Sequence, residues 1–253
     1  MKRKSSDLTE FYIQFLIVVY LLWSFPVLSF GQKEVLVPAD GTVSEGEEQP
    51  VVALTFDDGP SGTSTPVLLE GLRKRGVRAT FFVVGENVEK GENAQILREM
   101  SADGHLIGNH TYHHVNLSKM SAEQAQAELD ATDELVRKIT GKYPIYARAP
   151  YGEVPENGDV DRQRFYIGWT VDPLDWMTED VSRITQSVLE KVEPGDIILL
   201  HDSYLSSVQA ALRIVDALQG KGYEFITDEV IMSQVNYMSF TMRYDIFEDN
   251  DSM

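Results

Sequence analysis

The pair Asp57-Asp58 closes a short apolar run, Val51-Val52-Ala53-Leu54, and is followed at once by Gly59-Pro60. A β-branched apolar run ended by Gly-Pro reads as a buried strand opening into a loop. Two adjacent carboxylates at such a mouth repel one another and resist desolvation unless a cation sits beside them. Asp-Asp-Gly is also an ordinary turn sequence, so the pair alone decides nothing. Its company does. His110-Thr111-Tyr112-His113-His114, Arg148-Ala149-Pro150-Tyr151-Gly152, Asp172-Pro173-Leu174-Asp175-Trp176 and His201-Asp202 each end a further apolar run. His110 and His114, four apart, suit one side of a helical turn and a shared metal. Two neutral imidazoles and one carboxylate leave positions open for water and substrate, as a catalytic divalent-metal site requires. His113 reads as a solvent-facing or supporting neighbour, and His105 as a packing residue at the entry to a strand. With His201 these are all 5 histidines, so no other imidazole competes for the ion.

Those clusters need a scaffold that brings strand ends together. The candidate strands are Val51–Phe56, Thr80–Val84, Leu106–Asn109, Ile145–Arg148, Phe165–Thr170, Ile197–Leu200 and Tyr223–Thr227. Between them run helical stretches at Thr65–Arg75, Ala94–Ala102, Ser121–Thr140, Val181–Val192 and Ser207–Lys221. The third opens with Ser121-Ala122-Glu123-Gln124, a capping-box pattern, and stops before Gly141. Alternating β and α units predict a parallel sheet covered by helices. Continuous apolar strands such as Ile197-Ile198-Leu199-Leu200 suit a sheet buried on both faces. Seven strands fit an incomplete β/α barrel better than a full eight-stranded one. The polar clusters all fall at the C-terminal ends of strands, where such barrels build their sites.

The chain has 253 residues, 43% of them hydrophobic and 25% charged, an ordinary composition able to bury a sizeable core. It has no cysteine, which excludes a disulfide framework and a thiolate metal site. A net charge of −18 with no basic run excludes nucleic acid as a partner. Lys2, Arg3 and Lys4 precede an almost wholly apolar block, Phe11 to Phe30. Residues 1–31 therefore read as a cleaved secretory signal or, uncleaved, as a membrane anchor through 11–30. Either predicts export, to the medium or to the outer face of the membrane and the cell wall. Residues 32–50 read as an acidic linker, 51–235 as the single catalytic domain, and 236–253 as an acidic tail.

Thr-Phe-Asp-Asp-Gly-Pro, His-Thr-x-x-His, Arg-x-Pro-Tyr, Asp-x-x-Asp-Trp and Leu-x-His, in that order, closely resemble the motifs of the polysaccharide deacetylase family (carbohydrate esterase family 4). Ala79-Thr80-Phe81-Phe82 with Gly85 adds to the likeness, which runs over residues 50–232. The resemblance implies a distorted (β/α)7 barrel. It implies that Asp58, His110 and His114 hold a divalent metal, zinc or a similar ion such as cobalt. It implies Asp57 as general base, Arg148 as its partner, His201 as general acid and Asp175 as the group that holds His201. Trp176 and Leu199 are then the lining of an acetyl pocket, and the Tyr151 backbone N–H a donor to the oxyanion. Two departures stand out: Ala149 where proline is commoner, and a short polar stretch, Glu153–Arg164, after the fourth strand.

This chemistry is coherent on its own terms. Amide hydrolysis needs a nucleophile near neutral pH, a stabilised oxyanion and a proton for a poor leaving group. A metal acidifies its water and polarises the carbonyl; a carboxylate takes the proton and an imidazole returns one. The expected substrate is an N-acetylglucosamine-containing polysaccharide, peptidoglycan first, then chitin oligomers and acetylated xylan. A metal-containing barrel that only binds carbohydrate is the non-catalytic alternative, argued against by intact Asp57 and His201. A non-haem iron oxygenase shares the two-histidine, one-carboxylate set but does not need a second Asp, an Arg partner and a separate His.

Overall fold

The computed structural model describes residues 49–154 and 164–227. The signal or anchor at 1–31, most of the linker, most of the Glu153–Arg164 stretch and the acidic tail lie outside the described residues. Seven strands alternate with helices: β1 (Val51–Asp57), α1 (Thr65–Arg75), β2 (Thr80–Val83), α2 (Gly85–Val88), α3 (Asn93–Ala102), β3 (Leu106–Asn109), α4 (Ala122–Thr140), β4 (Tyr146–Ala147), β5 (Phe165–Tyr166), α5 (Val181–Leu189), β6 (Ile197–His201), α6 (Leu205–Gly220) and β7 (Glu224–Ile226). Every pairing is parallel, in the order β5-β4-β3-β2-β1-β6, with β7 on the first half of β1. The sheet curls until Val171, in the chain leaving β5, bridges Ile198 of β6. This is a distorted β/α barrel of seven strands, as the sequence implies.

The alternation of strand side chains divides its two faces. Val52, Leu54 and Phe56 of β1, Phe81 and Val83 of β2, and Ile198 and Leu200 of β6 pack outward, in the layer under the helices. Leu68, Leu72, Ile214 and Val215 from α1 and α6 meet them there. The opposite face of β1 carries Ala53, Thr55 and Asp57, and that of β6 carries Leu199 and His201. Polar side chains therefore enter the barrel interior by the same period of two that builds the core outside it.

Local signals set the helix ends. Ser121 and Gln124 form both bonds of a capping box at the start of α4, and Gly141 ends it at φ 79°. Asp180 caps α5 through the N–H groups of Ser182 and Arg183. The shorter strands differ from expectation. β4 and β5 pair over two residues each, because the chain after Tyr166 leaves the ladder: Ile167 N–H still reaches the Ala147 carbonyl, but Thr170 and Val171 N–H turn to Ile197. The single-turn α2 has too few residues for a periodic pattern and is absent from the sequence reading.

Candidate active site

Asp57 and His201 are the last residues of their strands and stand in register across β1 and β6. Thr55, two residues before Asp57, shares its face. Arg148, leaving β4, fills the barrel beneath them and is 1% exposed. Its Nη1 donates to Asp57 Oδ1 and to Thr55 Oγ1, both at 2.8 Å; Nη2 donates to the Gly168 carbonyl at 2.8 Å and Nε to that of Ile167 at 3.1 Å. The guanidinium lies 4.2 Å from the centre of the Phe82 ring. A buried cation is costly unless its donors are engaged, and here four of the five N–H groups are, each on a different acceptor. Asp57 is thereby fixed in rotation as well as in place.

His201 is held the same way. Asp175 accepts from His201 Nδ1 through Oδ1 and from the His201 backbone N–H through Oδ2, each at 2.8 Å. Asp175 is almost fully buried in the short 3-10 turn Asp175–Met177, so Nδ1 is committed and Nε2 is left for the site. Burial pulls the His201 pKa down, but the bond to Asp175 and the charges of Asp175, Asp57 and Asp58 outweigh it and hold it up at about 9.

Asp58, His110 and His114 offer ligand atoms within 4.8 Å of one another. Asp58 Oδ1 lies 3.1 Å from His114 Nε2 and 3.5 Å from His110 Nε2, and His110 Nε2 lies 3.8 Å from Asp57 Oδ2. His110 Nδ1 is 2.7 Å from the Arg148 carbonyl. A carbonyl only accepts, so Nδ1 carries the hydrogen and the Nε2 lone pair points to Asp58. Burial pushes the Asp58 carboxyl up, yet the two imidazoles, when they are protonated, draw it far below the usual carboxylate range. Its Oδ1 is buried and makes no well-directed hydrogen bond. Two imidazole nitrogens and a carboxylate oxygen converging without bonds of their own fit a divalent cation. The histidines do not meet on a helical turn, as their spacing suggests. Residues 110–114 form a loop in which Thr111 and His114 take left-handed φ values of 63° and 54°.

Tyr151 sits beside this cluster, its ring edge-on to His114 at 4.9 Å between centroids and its own φ at 65°. Leu199 is buried two residues before His201 on the same strand face, and Trp176, next to Asp175, is half-exposed at the rim. Eight of the residues singled out in the sequence are thus linked by direct contacts, and Leu199 and Trp176 are placed beside them by their neighbours. His113 is exposed and bonds Glu128 at 2.8 Å, and His105 is buried, accepting from Ala79 N–H; burial pulls its pKa down to about 4. Two residues of the polar clusters turn elsewhere. Asp172 caps its own turn by accepting from Leu174 N–H. Asp202 is buried beneath the loop, accepts from Thr65 Oγ1 at 2.6 Å, and is pushed up to about 7 by that burial. Thr55 is the site residue missed in the sequence; its signal was the spacing of two from Asp57.

Comparison with known proteins agrees with this arrangement. The family model described as polysaccharide deacetylase matches residues 44–163. A peptidoglycan-N-acetylglucosamine deacetylase of Bacillus cereus is 39% identical over 70% of this chain and 66% of its own length. A chitooligosaccharide deacetylase of Bradyrhizobium is 35% identical over 68% of this chain and 86% of its own. The solved structure of peptidoglycan deacetylase PdaC from Bacillus subtilis superimposes with a TM-score of 0.70 at 32% identity, over 78% of this chain and 98% of that one. Fold and site define a parallel β/α barrel with paired carboxylates, imidazoles and a buried guanidinium gathered at one mouth. The chain belongs to the polysaccharide deacetylase family. It spans just under two thirds of the length of the Bacillus cereus relative, and 37% of a Listeria monocytogenes one.

Proposed function

We propose that the chain is a metal-dependent hydrolase that removes N-acetyl groups from N-acetylglucosamine-containing polysaccharide, with peptidoglycan as its substrate. The observation that carries this reading is the in-register pair Asp57 and His201, each locked by a buried partner, beside the Asp58, His110 and His114 cluster. Asp58, His110 and His114 hold the cation, zinc or a similar ion such as cobalt. A divalent cation there supplies Lewis-acid polarisation of the acyl oxygen and a water acidic enough to attack near neutral pH.

The chain's own groups do the rest. Asp57 Oδ2 is the free oxygen of a carboxylate whose Oδ1 is taken by Arg148, and it accepts the proton of the attacking water. The water oxygen bonds to the acyl carbon, and the Tyr151 N–H donates to the oxygen that gains charge. His201 Nε2 gives its proton to the sugar nitrogen as the C–N bond breaks, leaving acetate and a free amine. Leu199 and Trp176 receive the acetyl methyl. A binding-only barrel has no use for buried pairs that fix a base and an acid at their strand ends.

Peptidoglycan is favoured by the expected export through residues 1–31 and by the substrates named for the relatives; chitin oligomers are the alternative. Among the described residues no helix is long and apolar enough to cross a membrane. The test is acetate release from peptidoglycan, chitin oligomers and acetylated xylan in parallel. Chelator-sensitive release from peptidoglycan above the others is expected. Release from xylan alone would overturn the amide reading, and release from none would overturn the enzyme.

A further inference from the structure

The loop that carries His110 and His114 is tied down on both sides. On one side the N–H groups of Gly85 and Glu86, at the start of α2, donate to the carbonyls of Thr111 and Tyr112 at 3.0 and 2.8 Å. Packing there is close, since a Cβ on Gly85 would stand 2.4 Å from Tyr112 Cδ2 and 2.7 Å from Thr132 Oγ1. On the other side a single carboxylate, Glu128 of α4, takes the loop's amides. Its Oε2 accepts from Tyr112 N–H at 3.1 Å and His113 N–H at 2.8 Å, while Oε1 lies 2.8 Å from His113 Nδ1. The Glu128 side chain is 13% exposed, so the acceptor is largely withdrawn from water although His113 itself is exposed. Three more amides of this stretch are engaged: His110 N–H reaches the Val83 carbonyl, Thr111 N–H the Asn109 side chain, and Val115 N–H the Thr111 hydroxyl.

We infer that Glu128 is a positioning residue for the cation site: by gathering the amides of Tyr112 and His113 it holds the loop in the turn that aims His110 and His114 at Asp58. The physical reason is the backbone. Thr111 and His114 sit at positive φ, a region that non-glycine residues enter at a cost of order 1 kcal/mol or more each. Adjacent amides turned to one side have no partner in a strand or helix ladder and need an acceptor from elsewhere in the fold. Glu128 supplies that partner. Without it the loop gains conformations in which the two imidazoles point apart, and the free energy of gathering them is then drawn from metal binding.

The inference rests on reading Asp58, His110 and His114 as cation ligands, and the test separates the two. The full chain, stripped of metal, is titrated with zinc against a chromophoric competitor, alongside Glu128→Ala, Glu128→Gln and His113→Ala. Glu128→Ala is expected to raise the zinc Kd by about 10–100-fold. Glu128→Gln keeps an oxygen for both amides and should stay near the unaltered chain, as should His113→Ala, which leaves the amide bonds intact. Lost turnover in Glu128→Ala should return with excess zinc, which a merely damaged fold would not allow. Hydrogen exchange on the metal-free unaltered chain should show the Tyr112 and His113 amides protected, a readout that needs no variant. An unchanged Kd in Glu128→Ala, an equal loss in Glu128→Gln, or fast exchange at those amides would overturn the inference. No zinc binding by the unaltered chain would instead overturn the metal reading, and this inference with it.

Discussion

Asp57 and His201 are paired Cα to Cα at the ends of adjacent parallel strands, so the proposed base and acid are separated by one sheet spacing, about 4.8 Å of backbone. Neither is a metal ligand in this account. Asp57→Asn and His201→Ala should therefore each retain bound metal while losing about 10²–10⁴ in turnover. Acetate release and metal content, measured on the same preparations, check this. Loss of metal in either variant contradicts the roles assigned.

In the proposed mechanism the proton on His201 is the working proton. Its pKa is held up at about 9, so the acid form prevails below that and activity should fall as the pH rises through about 9. Asp175→Asn keeps an acceptor oxygen but removes the charge, and the alkaline limb should move down toward the ordinary histidine value of about 6.5. Because the folded pKa is the raised one, the same pair stabilises the fold fully below about 6.5 and loses that contribution as pH rises through about 9. A pH–rate profile of the two proteins tests it; an unmoved limb in Asp175→Asn counts against His201 as the acid.

Arg148 is expected to matter to folding as much as to rate. Arg148→Met leaves Asp57 buried without its guanidinium partner, a change that costs about 3–5 kcal/mol in comparable buried pairs. Arg148→Lys keeps the charge but cannot reach Asp57, Thr55 and the Ile167 and Gly168 carbonyls together, so it should fall between. Thermal unfolding ranks the three. A lysine variant as stable and active as the unaltered chain would show that charge alone suffices.

Removing the cation should lower stability as well as activity, since a ligand that binds only the folded chain stabilises it by mass action. The melting temperature should drop on chelation and recover with zinc or cobalt. Asp58→Ala, which removes one of the three ligand groups, should melt at the same temperature with and without the chelator.

Much of this was legible in the residues. Apolar runs such as Ile198-Leu199-Leu200 mark strands buried on both faces, and the polar clusters that interrupt them fall where the barrel mouth lies. What was not legible has local causes. Thr111 is β-branched and does not announce a left-handed turn, so the helical spacing of His110 and His114 suggested the wrong local geometry for the pair. Glu128 looks like any solvent carboxylate on the amphipathic helix Ala122–Thr140, because its partners are backbone amides of a distant loop. The expected strand Phe165–Thr170 reads as one apolar stretch, yet its second half leaves β4 for β6, a choice made by the closing of the barrel. Asp202 beside His201 belongs to the packing of α1, which neighbours in sequence do not disclose.

The central claim is metal-dependent deacetylation, and it is tested most directly by following acetate release from peptidoglycan with one preparation of the full chain, first metal-loaded, then chelated, then reloaded. The account predicts release that stops with the chelator and returns with zinc or cobalt, with free amines appearing on the glycan in step with the acetate. Release that continues at the same rate in the metal-free chain would contradict it.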